Sequence, residues 1–195
     1  MEYVCESSWE EVQDNWKTSE DNELWKAHYQ GLGFKSWEDW RWSRIKLLGM
    51  EDREWTIEKT DNVIQEVREM FCDASTRWTD FYDDRKDSTF GRLKDDPFLV
   101  SHQRVRSIRE NFPQGSQMIG LRNADEIIVL DGHHRATAIA GMDEAGSQPD
   151  VNFAIADIST DEFLKLYKGG LGLKIERRMW DVIGLARTKM KGLLK

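Results

Sequence analysis

One short stretch constrains the fold of this 195-residue chain more than any other, an apolar run that leads through a glycine into a helical segment. Residues 126–130 (Glu-Ile-Ile-Val-Leu) have the length and β-branched composition of a buried strand. Residues 118–121 form a second apolar run, and the Asn-Ala-Asp turn between the two runs predicts a hairpin. Asp131 and Gly132 follow, and residues 133–140 predict a helix. We therefore expect strand, glycine turn and helix to pack together, as in α/β folds.

The turn at the end of this strand suits an anion such as phosphate. Free backbone N–H groups and the positive end of a helix would face the anion, and Gly132 would let the backbone approach it closely. Arg135 could add a bidentate contact. Asp131 could hold Mg²⁺ or accept a proton from an attacking hydroxyl. The alternative is that His133, His134 and Arg135 only cap the helix and pair with surface acids. The position at the carboxyl end of a strand favours a ligand.

Zinc binding is a weaker interpretation of the same residues. His133 and His134 are sequence neighbours that would point apart on a helix, and only His102 or His28 could supply a third ligand. The chain has two cysteines, which do not form a CxxC pair. A disulfide framework and a four-cysteine metal site are therefore excluded.

The run Leu-Asp-Gly-His-His-Arg-Ala-Thr-Ala at residues 130–138 resembles the phosphate-binding turn of the ParB/sulfiredoxin-like superfamily. In that superfamily a strand ends in Gly-x-x-Arg, and the helix that follows cradles the phosphates of a nucleotide. The resemblance covers roughly residues 96–158. It implies an α/β (α+β) fold with a small mixed sheet of ParB/sulfiredoxin type, to which the apolar patterns of the flanking residues add a helical N-terminal extension and a C-terminal helix.

The residues of the motif distinguish three branches of that superfamily. Sulfiredoxins carry a cysteine directly after the motif glycine, where this chain has His133. ParB partition proteins continue into a helix-turn-helix domain, whereas only about one helical segment follows the last predicted strand here. Asp-Gly-His-His-Arg is most similar to the free serine kinases, which also use a glutamate upstream of the first helix. Residues 98–104 contain no glutamate, and Asp95, Asp96 and His102 are the nearest substitutes.

The kinase resemblance implies a role for each matching residue. Asp131 would orient or deprotonate a substrate hydroxyl or hold the metal, and His102 is the second catalytic candidate. The residues expected to bind the nucleotide phosphates are Gly132, His133, His134, Arg135 and Thr137.

The function that these residues predict is phosphoryl transfer. We expect a Mg²⁺-dependent phosphotransferase that uses ADP or ATP and acts on a small hydroxyl-bearing metabolite. The alternative is a non-catalytic, nucleotide-dependent regulator, or a ParB-like protein that binds DNA or a protein partner.

Charge and tryptophan are unevenly distributed along the chain. Residues 1–96 hold 24 acidic and 14 basic residues, whereas residues 97–195 hold 12 acidic and 14 basic ones. Eight of the nine tryptophans lie within the first 78 residues. We therefore divide the chain into a Trp-rich helical extension (1–95), a ParB/sulfiredoxin-like nucleotide-binding core (96–160) and a basic amphipathic helical tail (161–195).

Apolar spacing predicts that residues 8–95 are mostly helical, with Ser36 as the N-cap of one helix. Ser101 is predicted to cap a later helix, and the charged residues 80–97 are predicted to connect the halves. Most tryptophans fall on apolar stripes. We interpret them as core residues rather than as a surface that stacks on sugars or bases, with Trp42 as the best candidate for exposure.

The tail begins with a capping-box pattern at Ser159 and Glu162, and an amphipathic helix is predicted from about Ile175. Its basic face could bind an acidic partner, nucleic acid or an anionic membrane, but neutralisation by the acidic N-terminal half is favoured. A formal charge of −8 also disfavours nucleic acid. The chain lacks both a secretion-signal pattern and an apolar run of the ~20 residues that a membrane span needs. We therefore expect a cytoplasmic protein without a membrane partner.

Overall fold

The structure is a computed structural model that describes residues 1–73, 89–168, 178–179, 181–187 and 190. This described part is mixed α/β, with six strands in one sheet of order β1-β2-β6-β4-β5-β3. The strands are β1 (Glu2–Ser7), β2 (Trp55–Lys59), β3 (Phe71–Cys72), β4 (Ser116–Asn123), β5 (Glu126–Asp131) and β6 (Val151–Asp157).

Helices pack on both faces of this sheet. The helices of the described residues are α1 (Trp9–Glu20), α2 (Glu23–Gly31), α3 (Trp37–Leu48), α4 (Val63–Glu69), α5 (Phe90–Leu93), α6 (Pro97–Ser101), α7 (Gln103–Glu110), α8 (His133–Ala140) and α9 (Thr160–Lys168), with a 3₁₀ turn at Met50–Asp52. Residues 181–187 are also helical.

The sheet is mixed because its central strand has neighbours of both directions. Strand β4 runs antiparallel to β5 and parallel to β6. The predicted hairpin is confirmed, with Ala124 in a left-handed conformation (φ 53°) at its turn. On the outer sides, β2 pairs antiparallel with β6 and β3 pairs parallel with β5. The α/β prediction is therefore confirmed at the level of a mixed sheet with helices.

Residues 8–95 are mostly helical where they are described, as predicted, but the N-terminal residues also supply strands that the sequence did not predict. Strands β1, β2 and β3 all come from residues 1–95 and extend the same sheet as β4–β6. Strand β2 has only five residues, and the acidic Glu58 occupies a buried position of it, 4% exposed. Both carboxylate oxygens of Glu58 accept hydrogen bonds from Arg122 of β4 at 2.8 Å. An ion pair therefore fills a buried position that an apolar residue occupies more often.

Side chains of the central strands alternate between two cores. Ile119 and Leu121 of β4 face a core built with α1, α3 and α9. Met118 of the same strand faces a second core built with α4, α5 and α8. Because β5 alternates in the same way, the glycine turn that follows it lies where both layers of helices meet the sheet edge.

The core interpretation of the tryptophans is confirmed for Trp9, Trp16, Trp37 and Trp55, which are 2–7% exposed. Trp42 is half-buried rather than exposed, so that prediction is wrong. It lies against helical residues 181–187, where the guanidinium of Arg187 is 4.7 Å from the Trp42 ring centroid. Trp78 and Trp180 lie outside the described residues.

Residues 181–187 dock on α3, since Ser43 donates a hydrogen bond to Asp181 at 2.6 Å. Residues 178–179 and 190 are also helical, in agreement with the predicted tail helix for the positions that are described.

The predicted helix starts are confirmed at Ser36 and Ser159. Ser36 accepts a hydrogen bond from the backbone N–H of Asp39, and Ser159 forms the reciprocal capping box with Glu162. The prediction for Ser101 is wrong, because Ser101 ends α6 and the N-cap of α7 is His102. Of the predicted connection at 80–97, residues 80–88 lie outside the described part, and the rest contains α5.

If residues 1–95 belong to the same folding unit as the rest, a cavity in β2 should destabilise the whole sheet. Trp55 is 2% exposed and its Nε1 donates to the Met50 carbonyl at 3.0 Å. Trp55→Ala should lower the free energy of unfolding by about 3–5 kcal/mol, measured by chemical denaturation. Hydrogen exchange of the β4 amides should accelerate with that of β2.

Leu24→Ala is the matched control, because Leu24 is 67% exposed. Its effect should stay within about 0.5 kcal/mol. Unchanged exchange in β4 of the Trp55 variant would show that the N-terminal residues form a separate unit.

Candidate functional site

The glycine turn has the backbone geometry that an anion site requires. Strand β5 ends at Asp131 and α8 begins at His133, with Gly132 between them as N-cap in a left-handed conformation (φ 99°). A Cβ at Gly132 would lie 2.9 Å from Cγ of Met118, so the position excludes larger residues by space as well as by backbone angle. Strand, turn and helix are therefore as predicted.

Arg135 lies on the first turn of α8 and is paired with the strand-end acid. Its Nη2 donates to Oδ2 of Asp131 at 2.8 Å, and the two side chains are 12% and 17% exposed. Burial by itself would raise the pKa of the Asp131 carboxyl, but the guanidinium of Arg135, followed by Arg41, His133 and Arg44, outweighs burial and lowers this pKa. Asp131 is therefore an ionised carboxylate in cationic surroundings.

Arg41 and Arg44 belong to α3, and the sequence did not predict them as residues of the site. Arg44 donates to Oδ2 of Asp73 at 2.6 Å and also to the carbonyl of Leu130, the residue before Asp131. Arg41 binds Glu20 of α1 with two nitrogens, one of them Nε at 2.9 Å from Oε2. The N-terminal residues therefore form one wall of the site around Asp131.

Asp73 is a second buried carboxylate at this edge of the sheet, with its side chain 0% exposed. It directly follows β3, which runs parallel to β5 with Cys72 opposite Val129. The carboxyl ends of two parallel strands therefore each carry an aspartate, and Arg44 joins them. Strand β3 has only two residues, which is too short for a recognisable sequence pattern.

The two motif histidines have different surroundings. His133 is 8% exposed, and its ring meets Phe90 of α5 edge-on at 5.9 Å between centroids. The hydroxyl of Thr137 donates to the His133 carbonyl at 2.9 Å, and Thr137 is 4% exposed. The Thr137 hydroxyl is therefore used inside α8 in this structure, and its role as a phosphate ligand remains a prediction.

His134 faces α7, where its ring centroid lies 5.3 Å from that of His102. Burial, the charge of Arg104 and the neighbouring His102 and His133 together lower the pKa of His134 to about 3, against the smaller opposing effect of Asp131. His134 is therefore neutral near pH 7 and could accept or donate a hydrogen bond through its ring. The structure thus brings His102, a sequence candidate, next to the motif.

The remaining sequence candidates serve other purposes. Asp96 is the N-cap of α6, where its carboxylate accepts from the N–H groups of Phe98 and Leu99. Asp95 pairs with Lys94 at 2.6 Å. His28 packs against the rings of Trp25 and Trp40 at 5.6 and 5.5 Å.

The donor set suits an anion better than a cation. Within the described part of the chain, no group of three or more His, Cys, Asp or Glu side chains is placed to hold a metal ion. Mg²⁺ commonly uses only one or two protein carboxylates, but Asp131 is already paired with Arg135 and lies near Arg41 and Arg44. These residues do not fit a resident Mg²⁺, and a metal would have to arrive with the phosphates it neutralises.

No protein-family model, curated protein or solved structure matches this chain. None of the helices in the described residues is long and apolar enough to cross a membrane. The geometry of the turn and the charges around it are therefore the observations on which a function is proposed.

The lowered pKa of His134 predicts a pH dependence of stability. The group titrates at about 3 in the folded protein and at the ordinary value of 6.5 when unfolded. Between these values the unfolded state binds more protons, so the free energy of unfolding should fall as the pH falls below 6.5. His134→Gln cannot be protonated and should flatten this slope between pH 6.5 and 4.5, measured by denaturation at each pH.

The pH range of this measurement ends at 4.5 because the pKa values of Asp131, Glu38 and Glu162 are also lowered, from ordinary values of 4.5 or less. Below that pH their protonation destabilises the fold as well. An NMR titration in which the His134 ring is protonated with a midpoint near 6.5 would contradict the prediction.

Proposed function

We propose that residues 131–135 bind the phosphates of ADP or ATP and that the protein transfers a phosphoryl group to a small hydroxyl-bearing substrate. The observation that carries this proposal is the left-handed Gly132 at the start of an eight-residue helix, at the carboxyl end of β5. Backbone N–H groups in the first turn of a helix make no hydrogen bond within the helix and can donate to phosphate oxygens. The resemblance of Asp-Gly-His-His-Arg to the free serine kinases supports the same choice.

The charge balance around the turn also supports an anionic ligand. Among the residues that the structure describes, four guanidinium groups and three carboxylates act on one another there, an excess of one positive charge while His134 is neutral. These groups are Arg41, Arg44, Arg104 and Arg135, with Glu20, Asp73 and Asp131. Because the cluster is partly withdrawn from water, this excess attracts a phosphate more strongly than an exposed arginine would.

Asp131 is the residue that we assign to the chemistry. When phosphate binds, Arg135 exchanges the carboxylate for a phosphate oxygen, which releases Asp131 to face the acceptor hydroxyl. The hydroxyl oxygen attacks the terminal phosphorus, the bond from phosphorus to the nucleotide oxygen breaks, and the hydroxyl proton passes to Asp131. Phosphoryl transfer asks mainly for positioning and charge neutralisation, which the arginines and the turn supply.

A second candidate is a nucleotide-dependent regulator without turnover. The lowered pKa of Asp131 favours it, because a carboxylate held by Arg135 is a weak base. The two candidates share the phosphate site and differ only in whether Asp131 is released.

Nucleotide binding is tested by calorimetric titration with ADP, ATP, CTP and GTP, each with and without Mg²⁺. We expect ADP or ATP to bind, and Arg135→Ala to weaken binding about tenfold or more through loss of a charged hydrogen bond. Arg106→Ala removes the same charge from the exposed side of α7, where Arg106 only approaches Glu110 at 4.0 Å. It should bind like the wild type.

Two outcomes would contradict the proposal. Equal affinity of the wild type and Arg135→Ala would exclude the phosphate turn. Binding of none of the four nucleotides would exclude a nucleotide function. Circular dichroism of each variant keeps a failure to fold apart from a failure to bind.

Asp131→Asn separates the enzyme from the regulator. For the enzyme, turnover of ADP or ATP with small alcohols or hydroxy acids should fall at least about 100-fold, the effect of removing a general base, while nucleotide affinity is kept or increased. For the regulator, the wild type shows binding without turnover, and the nucleotide changes its affinity for a macromolecule.

A further inference from the structure

Arg104 differs from the other arginines at the site because no acidic side chain among the described residues contacts it. Its guanidinium stacks on the ring of Trp25 of α2, 4.6 Å from the centroid, and it is half-buried. Across the residues that the structure describes, Arg104 makes no hydrogen bond and no ion pair. By contrast, Arg41, Arg44 and Arg135 each contact a carboxylate.

This arrangement leaves a permanent positive charge incompletely compensated. Burial lowers the pKa of Arg104, while the more distant charges of Glu20 and Asp131 act in the opposite direction. A guanidinium nevertheless stays protonated in proteins. Withdrawing it from water without a hydrogen-bonded partner is unfavourable. The stacking on Trp25 offsets this cost but satisfies none of the N–H donors of the guanidinium.

Two neighbouring side chains also carry unsatisfied polar atoms. The buried Nε1 of Trp25 and the buried Nδ1 of His102 lack hydrogen-bond partners within the described ranges. Trp25 is the residue on which Arg104 stacks, and His102 stands two positions before Arg104 and packs against His134 of the turn. Buried polar atoms without partners are uncommon in folded proteins, and a ligand is one group that satisfies them.

We propose that Arg104 binds an oxyanion of the ligand, on the side of the site formed by α7 and His134. The proposal rests on the proposed function, because it adds a second anionic contact to the phosphate turn. The planar fork of a guanidinium matches the two oxygens of a carboxylate or a phosphate, and Trp25 holds the fork in position. The oxyanion is either a phosphate of the nucleotide or a carboxylate of the acceptor.

Calorimetric titration with pyrophosphate, ADP and malonate tests this proposal on the full chain. Arg104→Ala should raise the Kd of at least one of these probes about tenfold or more. Loss of pyrophosphate and ADP affinity identifies the oxyanion as a phosphate, and loss of malonate affinity alone identifies it as a carboxylate. Arg106→Ala is the control, with the same change of charge two residues away on the exposed side of α7.

The variants Arg104→Ala and Arg135→Ala distinguish this inference from the proposed function. If Arg135→Ala loses affinity and Arg104→Ala does not, the phosphate turn stands and the inference is wrong. If only Arg104→Ala loses affinity, the inference stands and the assignment of the turn is wrong. Binding of no probe by the wild type overturns both.

The variant Arg104→Lys distinguishes a role of Arg104 in ligand binding from a role in the stability of the fold. Lysine keeps the charge but loses the planar fork, so it should restore part of the affinity that alanine removes. Thermal unfolding of both variants should stay close to that of the wild type, since Arg104 forms no ion pair within the described chain that its removal would break. A large fall in Tm of both variants, together with an equal loss of affinity for all three probes, would show that Arg104 stabilises the fold instead.

Discussion

The carboxylate of Asp131 lies almost buried at the end of a central strand, and the rest of the site is arranged to keep it ionised there. A lone buried carboxylate would take up a proton. Arg135 prevents this by direct contact, and Arg41 and Arg44 add their charge from α3. Those arginines need their own partners, Glu20 and Asp73, so the network extends from α1 to β3. Removing one member would therefore leave another with an uncompensated charge.

This network explains why the N-terminal helices belong to the site. Arg41 and Arg44 stand three positions apart on α3, which packs on the sheet through buried residues such as Ile45 and Leu48. The arginines reach the sheet edge because the apolar residues of α3 fix its position. Trp25 and Trp40 then stack against Arg104 and Arg41, which restricts where these long side chains can lie. The tryptophans thus fill the core and also orient the charges of the site.

Local sequence patterns predicted the local parts of the site. The hairpin, the left-handed Gly132 and α8 follow from an apolar run, a turn dipeptide and a glycine, each of which acts over a few residues. The N-caps at Ser36 and Ser159 likewise depend on residues only three positions apart. The prediction failed where distant residues decide the outcome. Glu58 occupies a buried strand position, where Arg122 of β4 neutralises its charge. Arg122 is distant in the sequence, so this ion pair cannot be predicted from the residues around Glu58.

The sequence by itself determined the turn from Asp131 to Arg135 and the mixed α/β class, because short-range periodicity and one glycine are enough to specify them. Tertiary structure alone decided which charges surround that turn. Residues 20, 41, 44, 73 and 104 are brought to it by strand pairing and helix packing across long separations, which no local pattern encodes. The same packing decided that Arg135 meets Asp131 and that Arg104 stacks on the ring of Trp25. The electrostatics of the site are therefore a property of the fold, since they depend on distances that exist only once the sheet and its helices are assembled.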